Sequence, residues 1–504
     1  MEVTRCWTLL VKEARFDSSH VENKNRTKTD SMFHPHQIPG LNRRAFLVAS
    51  TVGAAGQTFG LPTQAKAGEK SSNGRATAKS TILFFLCGGA SHIDMWDLKP
   101  EAPLEYRGPF QPIQTSAPGV RLCEHLPLLA KQAHHIALIN SVGATVNTND
   151  HHAGYYHNLT GHVPDPTFLI KGNDRTPYPD DWPFMGCVVA SKRPQLAGMP
   201  NAVTLPHKPG TPPHRPGQFA ARLGVKHDPL YVFGRRDKPN EFQAPDLVLS
   251  ADVSGKRFGL RTELLSHLDN GRRDLDQFAA AQTWNSQQER AISLLMSSAT
   301  TTAFDISREK PETIERYGAT INGMSLLAAR RLVESGVPFV TVFWSEDDEK
   351  IAKKCLSGGG WDTHGSNFSC LKDDLLPEFD RGFSALIEDL ADRGMLDETL
   401  LMITSEMGRR PKIGDPRSGG TGGAGRDHWT HCLTDVLAGG GIRGGQTYGT
   451  SDRYAEYPAS RPVTPADVTR TVYHAMGIDN LEAFDKQNRP FNLLDTGEPL
   501  VDLF

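Results

Sequence analysis

Short continuous apolar runs recur along this chain, at residues 81–87, 136–141, 337–344, 399–403 and 433–438. Runs of this length predict strands buried on both faces, as in the middle of a parallel sheet. Between them the apolar period changes. Leu375, Leu376, Phe379, Phe383, Leu386, Ile387 and Leu390 recur at helical spacing, with Gly394 as the stop. Met324, Leu327, Leu332 and Val333 predict a helix over residues 320–335, ended by Gly336. Shorter helices are expected at 126–132, 150–160 and 465–476. Strands alternating with helices predict an α/β fold, a mostly parallel central sheet with helices on both faces. Residues 163–256 are rich in Pro, Gly and basic side chains and read as long loops over the core or the rim of a site. Residues 258–300 are helical in period, and 415–425 form a Gly-rich loop.

Composition narrows the class. The 504 residues are 38% hydrophobic and 22% charged, ordinary for a globular chain with a sizeable core. A formal net charge of -3 argues against nucleic acid or an anionic membrane surface as the main partner. No charge-free apolar run reaches the ~20 residues of a membrane span, so no transmembrane segment is expected.

The beginning of the chain carries an address. Arg43-Arg44 precedes an apolar stretch over residues 48–61, and Ala65-Lys66-Ala67 offers a small-x-small cleavage site. This resembles a twin-arginine export signal and predicts a periplasmic or extracellular protein. Residues 1–67 are accordingly read as signal and N-terminal extension, 68–80 as a linker, and 81–504 as the folded domain. Seven cysteines are scattered without a C-x-x-C pair. A twin-arginine substrate folds before export, under reducing conditions. Most of the cysteines therefore read as small buried apolar residues, with a disulfide such as Cys355–Cys370 as the alternative.

Candidate chemistry concentrates in the last third, where Trp361-Asp362-Thr363-His364-Gly365, Ser405-Glu406-Met407-Gly408 and Arg426-Asp427-His428-Trp429 follow one another. Each lies beside an apolar strand or a Gly-rich turn, where an α/β sheet presents ligand groups at its carboxyl edge. Carboxylate plus imidazole is the ligand set of zinc, manganese and similar divalent ions. Asp362, His364, Glu406 and His428 are the metal-ligand candidates. Asp427 can ligate or orient a histidine. Earlier in the chain, Gly88-Gly89-Ala90-Ser91-His92-Ile93-Asp94 offers His92 and Asp94 as further ligands and Ser91 as a nucleophile. The run Asp150-His151-His152, with His157 and His162 beyond it, offers His151 and His152 as ligands or as catalytic nucleophile or acid. The bland alternatives are an Asx-turn at Asp362, an ion pair between Glu406 and Arg409 or Arg410, a helix cap at Asp94, and surface histidines near 151.

From Asp380 through Asp397-Glu398-Thr399 to Thr404-Ser405-Glu406-Met407-Gly408, the chain resembles the alkaline phosphatase and sulfatase superfamily. There a helix bearing Asp leads to a strand ending Thr-Ser-Asp-His-Gly. Gly88-Gly89-x-Ser91-His92-x-Asp94, Arg330-Arg331-Leu332-Val333-Glu334-x-Gly336-Val337, Gly360-Trp361-Asp362-Thr363-His364 and Glu406-Met407-Gly408-Arg409 together resemble the family known as domain of unknown function 1501, within that superfamily. The resemblance implies an alkaline-phosphatase-like fold, one or more divalent ions (zinc, manganese or calcium), and hydrolysis of a phosphate or sulfate ester. Its substrate would be a small anionic ester or a sulfated or phosphorylated glycan. The alternative it leaves open is a non-catalytic member that binds a polyanionic ligand or an envelope protein partner. Departures are visible. The strand-end Asp-His pair is Glu406-Met407 here. Counted back from Leu159-Thr160-Gly161, the place of the sulfatase nucleophile holds His151, which excludes formylglycine chemistry.

Overall fold

The computed structural model describes residues 77–143, 149–194, 198–210, 214–244, 302–414, 425–485 and 488–504. The twin-arginine reading, the helical reading of 258–300 and most of the Gly-rich loop at 415–425 lie outside the described residues. Residues 72–504 form one compact unit.

Its centre is an eight-stranded sheet. In chain order the strands are β1 (Ser80–Phe85), β2 (Ile136–Val142), β3 (Ala202–Leu205), β4 (Leu230–Tyr231), β5 (Phe339–Phe343), β6 (Thr399–Thr404), β7 (Leu433–Ala438) and β8 (Gln446–Tyr448). Across the sheet they lie in the order β8-β2-β7-β6-β1-β5-β3-β4. Every residue of β1, β2, β5, β6 and β7 is buried, which is why these strands read as unbroken apolar runs. β1 pairs in parallel with β6 from Ser80↔Thr399 to Phe85↔Thr404, and with β5 from Thr81↔Phe339 to Phe85↔Phe343. The helices that matter below are α1 (His151–Thr160), α2 (Met185–Lys192), α3 (Ile321–Glu334), α4 (Leu376–Asp392) and α5 (Pro465–Ala475). Phe379 and Phe383 of α4 stack on Phe84 of β1 and carry the sheet–helix contact. Among the described residues no helix is long and apolar enough to cross a membrane.

Three expectations change. First, 163–256 is not only loop. It supplies β3, β4 and α2, because Ala202–Leu205, a four-residue run closed by Pro206, is buried as a strand by its neighbours β5 and β4 rather than by its own pattern. Second, residues 77–80 do not behave as a linker. The Thr77 hydroxyl donates to Asp397 O, Lys79 N–H donates to Glu398 O, and Ser80 opens β1. Third, β7 runs antiparallel to both β6 and β2. A hydrophobic pattern fixes burial but not direction. The reversal brings the residues just before β7, not those after it, to the edge where the parallel strands end.

Candidate metal centre

Five segments meet at that edge. Gly88 follows β1, His151 opens α1 beyond β2, Asp362 and His364 lie beyond β5, Glu406 lies two residues past β6, and Asp427-His428 precede β7. Close approach demands glycine at two points. Gly88 has φ +114°, and a Cβ there would stand 2.4 Å from Asp362 N. A Cβ on Gly154 of α1 would meet Glu406 O at the same distance.

Asp362 is the hub. Its Oδ1 lies 2.9 Å from His364 Nε2, 3.1 Å from His428 Nε2 and 2.5 Å from Arg409 Nη2, and its Oδ2 is 3.7 Å from His151 Nε2. Burial alone would raise its pKa. The neighbouring Arg409 guanidinium and a hydrogen bond from His364 instead hold it well below the usual carboxylate range. Arg409 is itself fully buried, donating also to Gly89 O, Arg426 O and Trp361 O.

The histidine tautomers are set by their outer partners. His428 Nδ1 lies 2.8 Å from Asn149 O, and a carbonyl only accepts, so Nδ1 carries the proton. Burial lowers the pKa of His428, so the ring is neutral and its Nε2 holds a bare lone pair. That lone pair faces Asp362 Oδ1, another acceptor. His151 Nδ1 donates to Glu406 Oε1 at 2.8 Å, leaving Nε2 turned toward Asp362. Burial would raise the Glu406 pKa, but the His151 hydrogen bond holds it low. Glu406 also accepts from Gly88 N–H at 2.8 Å. His364 sits between two carboxylates, with Nδ1 3.2 Å from Asp427 Oδ1. Burial opposes its protonation, yet Asp362 and Asp427 push its pKa up to about 9. Asp427 Oδ2 is buried without a hydrogen-bond partner among the described residues.

A divalent cation fits this donor set. Acceptors that face one another across a few ångströms are what an ion reconciles. His151, Asp362 and His428 each offer a ligand atom within 4.8 Å of the others, as do His364, Asp427 and His428. Metal-binding histidines characteristically donate their second N–H to a carbonyl or carboxylate, as His428 and His151 do here.

The other candidates go elsewhere. Glu406 binds His151 and backbone rather than standing as a third carboxylate among the ligand atoms, and it pairs with neither Arg409 nor Arg410. Asp94 accepts two bonds from Arg426, at 2.7 and 2.9 Å, plus one from Ser91 Oγ at 2.6 Å and one from Asn367 Nδ2 at 2.9 Å. Its oxygens thus meet Arg426, Ser91 and Asn367, and the Ser91 hydroxyl donates to Asp94. His92 places Nε2 on Ala455 O and accepts from Arg409 N–H at Nδ1, so neither nitrogen is free for an ion. His152 turns away from His151, with Nδ1 on Arg175 O, and lines a cavity of about 730 Å³. His157 and His162 are buried apart from the cluster, and His162 stacks on Trp182. Sequence reasoning missed Arg409 as the partner of Asp362 and the Asn149 carbonyl as the group that orients His428. No short motif carries either pairing. Cys355 and Cys370 form a disulfide across the loop that holds Asp362 and His364, while Cys87, Cys123, Cys187 and Cys432 are buried free thiols.

Several solved structures are distantly similar. One is Ps i-CgsB in complex with k-i-k-neocarrahexaose (13% identity, 84% of this chain and 75% of that one, TM-score 0.40). A second is the lipoteichoic acid synthase LtaP from Listeria monocytogenes (10%, 80% and 74%, 0.36). A third is the phosphonate monoester hydrolase SpPMH from Silicibacter pomeroyi (12%, 84% and 76%, 0.36). No curated protein matches the chain in sequence. Residues 78–504 match the family described as "Protein of unknown function (DUF1501)", and the chain belongs to that family.

Proposed function

We propose that this protein is an exported, divalent-metal-dependent hydrolase of phosphate or sulfate esters, acting on a small anionic ester or a sulfated or phosphorylated glycan. The observation that carries the metal is the convergence of two imidazole Nε2 atoms, of His428 and His151, on the Asp362 carboxylate, each ring being oriented through its Nδ1. Asp362, His428 and His151 would hold one ion, with His364 and Asp427 beside them for a second. The ester chemistry and the export route rest on the sequence resemblances. A bound ion of this kind polarises an ester oxygen and activates the attacking water.

The chain's own groups do the rest. Arg409 keeps Asp362 ionised and fixed. Glu406 and Asn149 O lock the two ring orientations. The free N–H-bearing edge of each histidine is thereby removed from the reaction, and the lone-pair edge is presented to it.

A second reading has its own support. Ser91 donates to Asp94, His151 to Glu406 and His152 is turned onto Arg175 O, so each of the three candidate nucleophiles is hydrogen-bonded within the fold. A non-catalytic member would use the same centre to hold a polyanionic ligand or an envelope partner.

One paired experiment separates the readings. Protein purified without chelators is assayed for bound metal and for turnover of an aryl phosphate and an aryl sulfate, alongside His428→Ala. Metal and turnover in the wild type, both lost in the variant, support the hydrolase. Metal without turnover moves the assignment to the binding protein. Wild type that neither carries nor takes up a divalent ion overturns both.

A further inference from the structure

A second group of ligand-type side chains lies on the other half of the same sheet edge. Cys87 follows β1, Glu346 follows β5 and His207 follows β3, and these three strands are consecutive neighbours in the sheet. Parallel strands that end side by side bring the residues just past their ends together. The Cys87 thiol, a His207 ring nitrogen and a Glu346 carboxylate oxygen lie within 4.8 Å of one another. None of the three takes part in the Asp362 cluster.

His207 is the telling residue. Both of its ring nitrogens are buried, and neither has a hydrogen-bond partner among the described residues. A buried imidazole normally commits at least one nitrogen, and an orphan of this kind calls for an occupant. His207 and Glu346 both line the cavity of about 730 Å³, together with Arg215, Arg236 and Lys208. The site therefore opens on space large enough for a ligand. Glu346 is held in place by Arg215, whose two terminal nitrogens reach its oxygens at 3.0 and 3.1 Å, while Arg215 also donates to the Tyr155 hydroxyl at 2.6 Å. Each carboxylate oxygen has two acceptor sites, so an Arg215-bound Glu346 keeps one for an ion.

We infer that Cys87, His207 and Glu346 form a zinc site, distinct from the Asp362 cluster, with its open coordination position on the cavity. Sulfur, imidazole and carboxylate are a zinc donor set, reached at about 2.0–2.3 Å. The thiolate disfavours magnesium, calcium and manganese, which prefer oxygen. Three protein ligands leave the fourth position for water or an incoming anion. Arg215 stands beside that position and offsets the charge of the two anionic ligands. On loading, the ion replaces the thiol proton, which passes to solvent.

The test uses a signature that the oxygen and nitrogen cluster cannot give. Cobalt(II) is loaded into the full chain, and the near-ultraviolet thiolate-to-cobalt charge-transfer band is followed. Wild type shows the band, and Cys87→Ser abolishes it while the Asp362 cluster still takes up metal. His207→Gln keeps the thiol and the fold but weakens cobalt and zinc binding at this site by tenfold or more, since loss of even an outer partner costs about 10–100-fold. Circular dichroism reports whether each variant is folded. A cobalt-loaded wild type without the band overturns the site, as does a band that survives Cys87→Ser and so belongs to another cysteine. An unchanged titration in folded His207→Gln does the same. His428→Ala leaves the band in place, so failure here and failure of the hydrolase reading are told apart.

Discussion

Two polar clusters on one sheet edge, built from the same residue types, have opposite characters. Around Asp94, every acceptor faces a donor. Arg426, Ser91 and Asn367 all point hydrogens at the carboxylate, and Arg426 spends its remaining N–H groups on Tyr106 O, Arg410 O and Pro411 O. Around Asp362, acceptors face acceptors. The bare Nε2 of His428 faces the carboxylate, His151 Nε2 lies 3.7 Å from it, and Arg409 and His364 donate to it. The Asp94 knot is complete and so is structural. The Asp362 cluster keeps facing acceptors that one or two cations would reconcile under the function proposed above. Residue type does not distinguish a ligand from a strut. The bookkeeping of donors and lone pairs does.

The comparison breaks most visibly at Asp94. Asp94→Asn leaves the buried Arg426 guanidinium without its counter-charge, a change that costs about 3–5 kcal/mol. Urea unfolding should show a loss of that size, with metal content per folded molecule unchanged. A stable Asp94→Asn protein that lacks metal would exchange the roles assigned to the two clusters.

Next in size is the disulfide. Cys355 and Cys370, separated by 15 positions, close the loop that carries Asp362 and His364. Replacing both by Ser should cost about 3 kcal/mol, the loop-closure value for a ring of this length. Metal affinity should fall as well, because the loop's ends are no longer held. Calorimetric unfolding and metal titration of the double variant check the two effects separately. A fall in stability with affinity intact would show that the loop is positioned by Arg409 and Gly88 alone.

Glu406→Gln probes the outer partner of His151. The amide can still accept from Gly88 N–H, so the fold should hold. What weakens is the charge that fixes the His151 proton on Nδ1. Metal affinity should drop about 10–100-fold, the usual consequence of losing such a partner. Competition with a chromogenic chelator measures it. An unaltered affinity would remove His151 from the ligand set and leave His364 in its place.

Much of this was legible in the sequence, and the part that was not has a physical reason. β1, β2, β5, β6 and β7 announce themselves because burial on both faces leaves no polar position to blur the run. β3 and β4 do not, since a short strand takes its conformation from its neighbours. Asp362, His364 and His428 converge as their motifs suggest, although His428 arrives from before β7 because that strand is reversed. Ser91, His92 and Asp94 are drawn into hydrogen bonds that their own motif does not announce. The Arg426 that captures Asp94 lies 332 positions away, and no local pattern reports a partner at that distance.

Two histidines, one half-buried and one buried, supply the smallest test. His364, between Asp362 and Asp427, is pushed up to about 9, whereas His157 in α1 is pushed down to about 4 by burial, with His162 adding to the effect. The second case gives a clean pH dependence. The folded pKa of His157 lies below the value of about 6.5 expected of the unfolded chain. Protons therefore bind the unfolded state preferentially as the pH falls through 6.5, and stability is lost from there down toward pH 4. At pH 5 the loss from this one residue is on the order of 2 kcal/mol relative to pH 7. His157→Gln removes the titration, so its own fall in stability between pH 7 and pH 5 should be smaller than that of the wild type by about this amount. Urea midpoints for both proteins at the two pH values measure the difference. Parallel losses in the two proteins would show that His157 is not held neutral, and that burial in α1 does not set histidines against the carboxylate-flanked His364 in the way described.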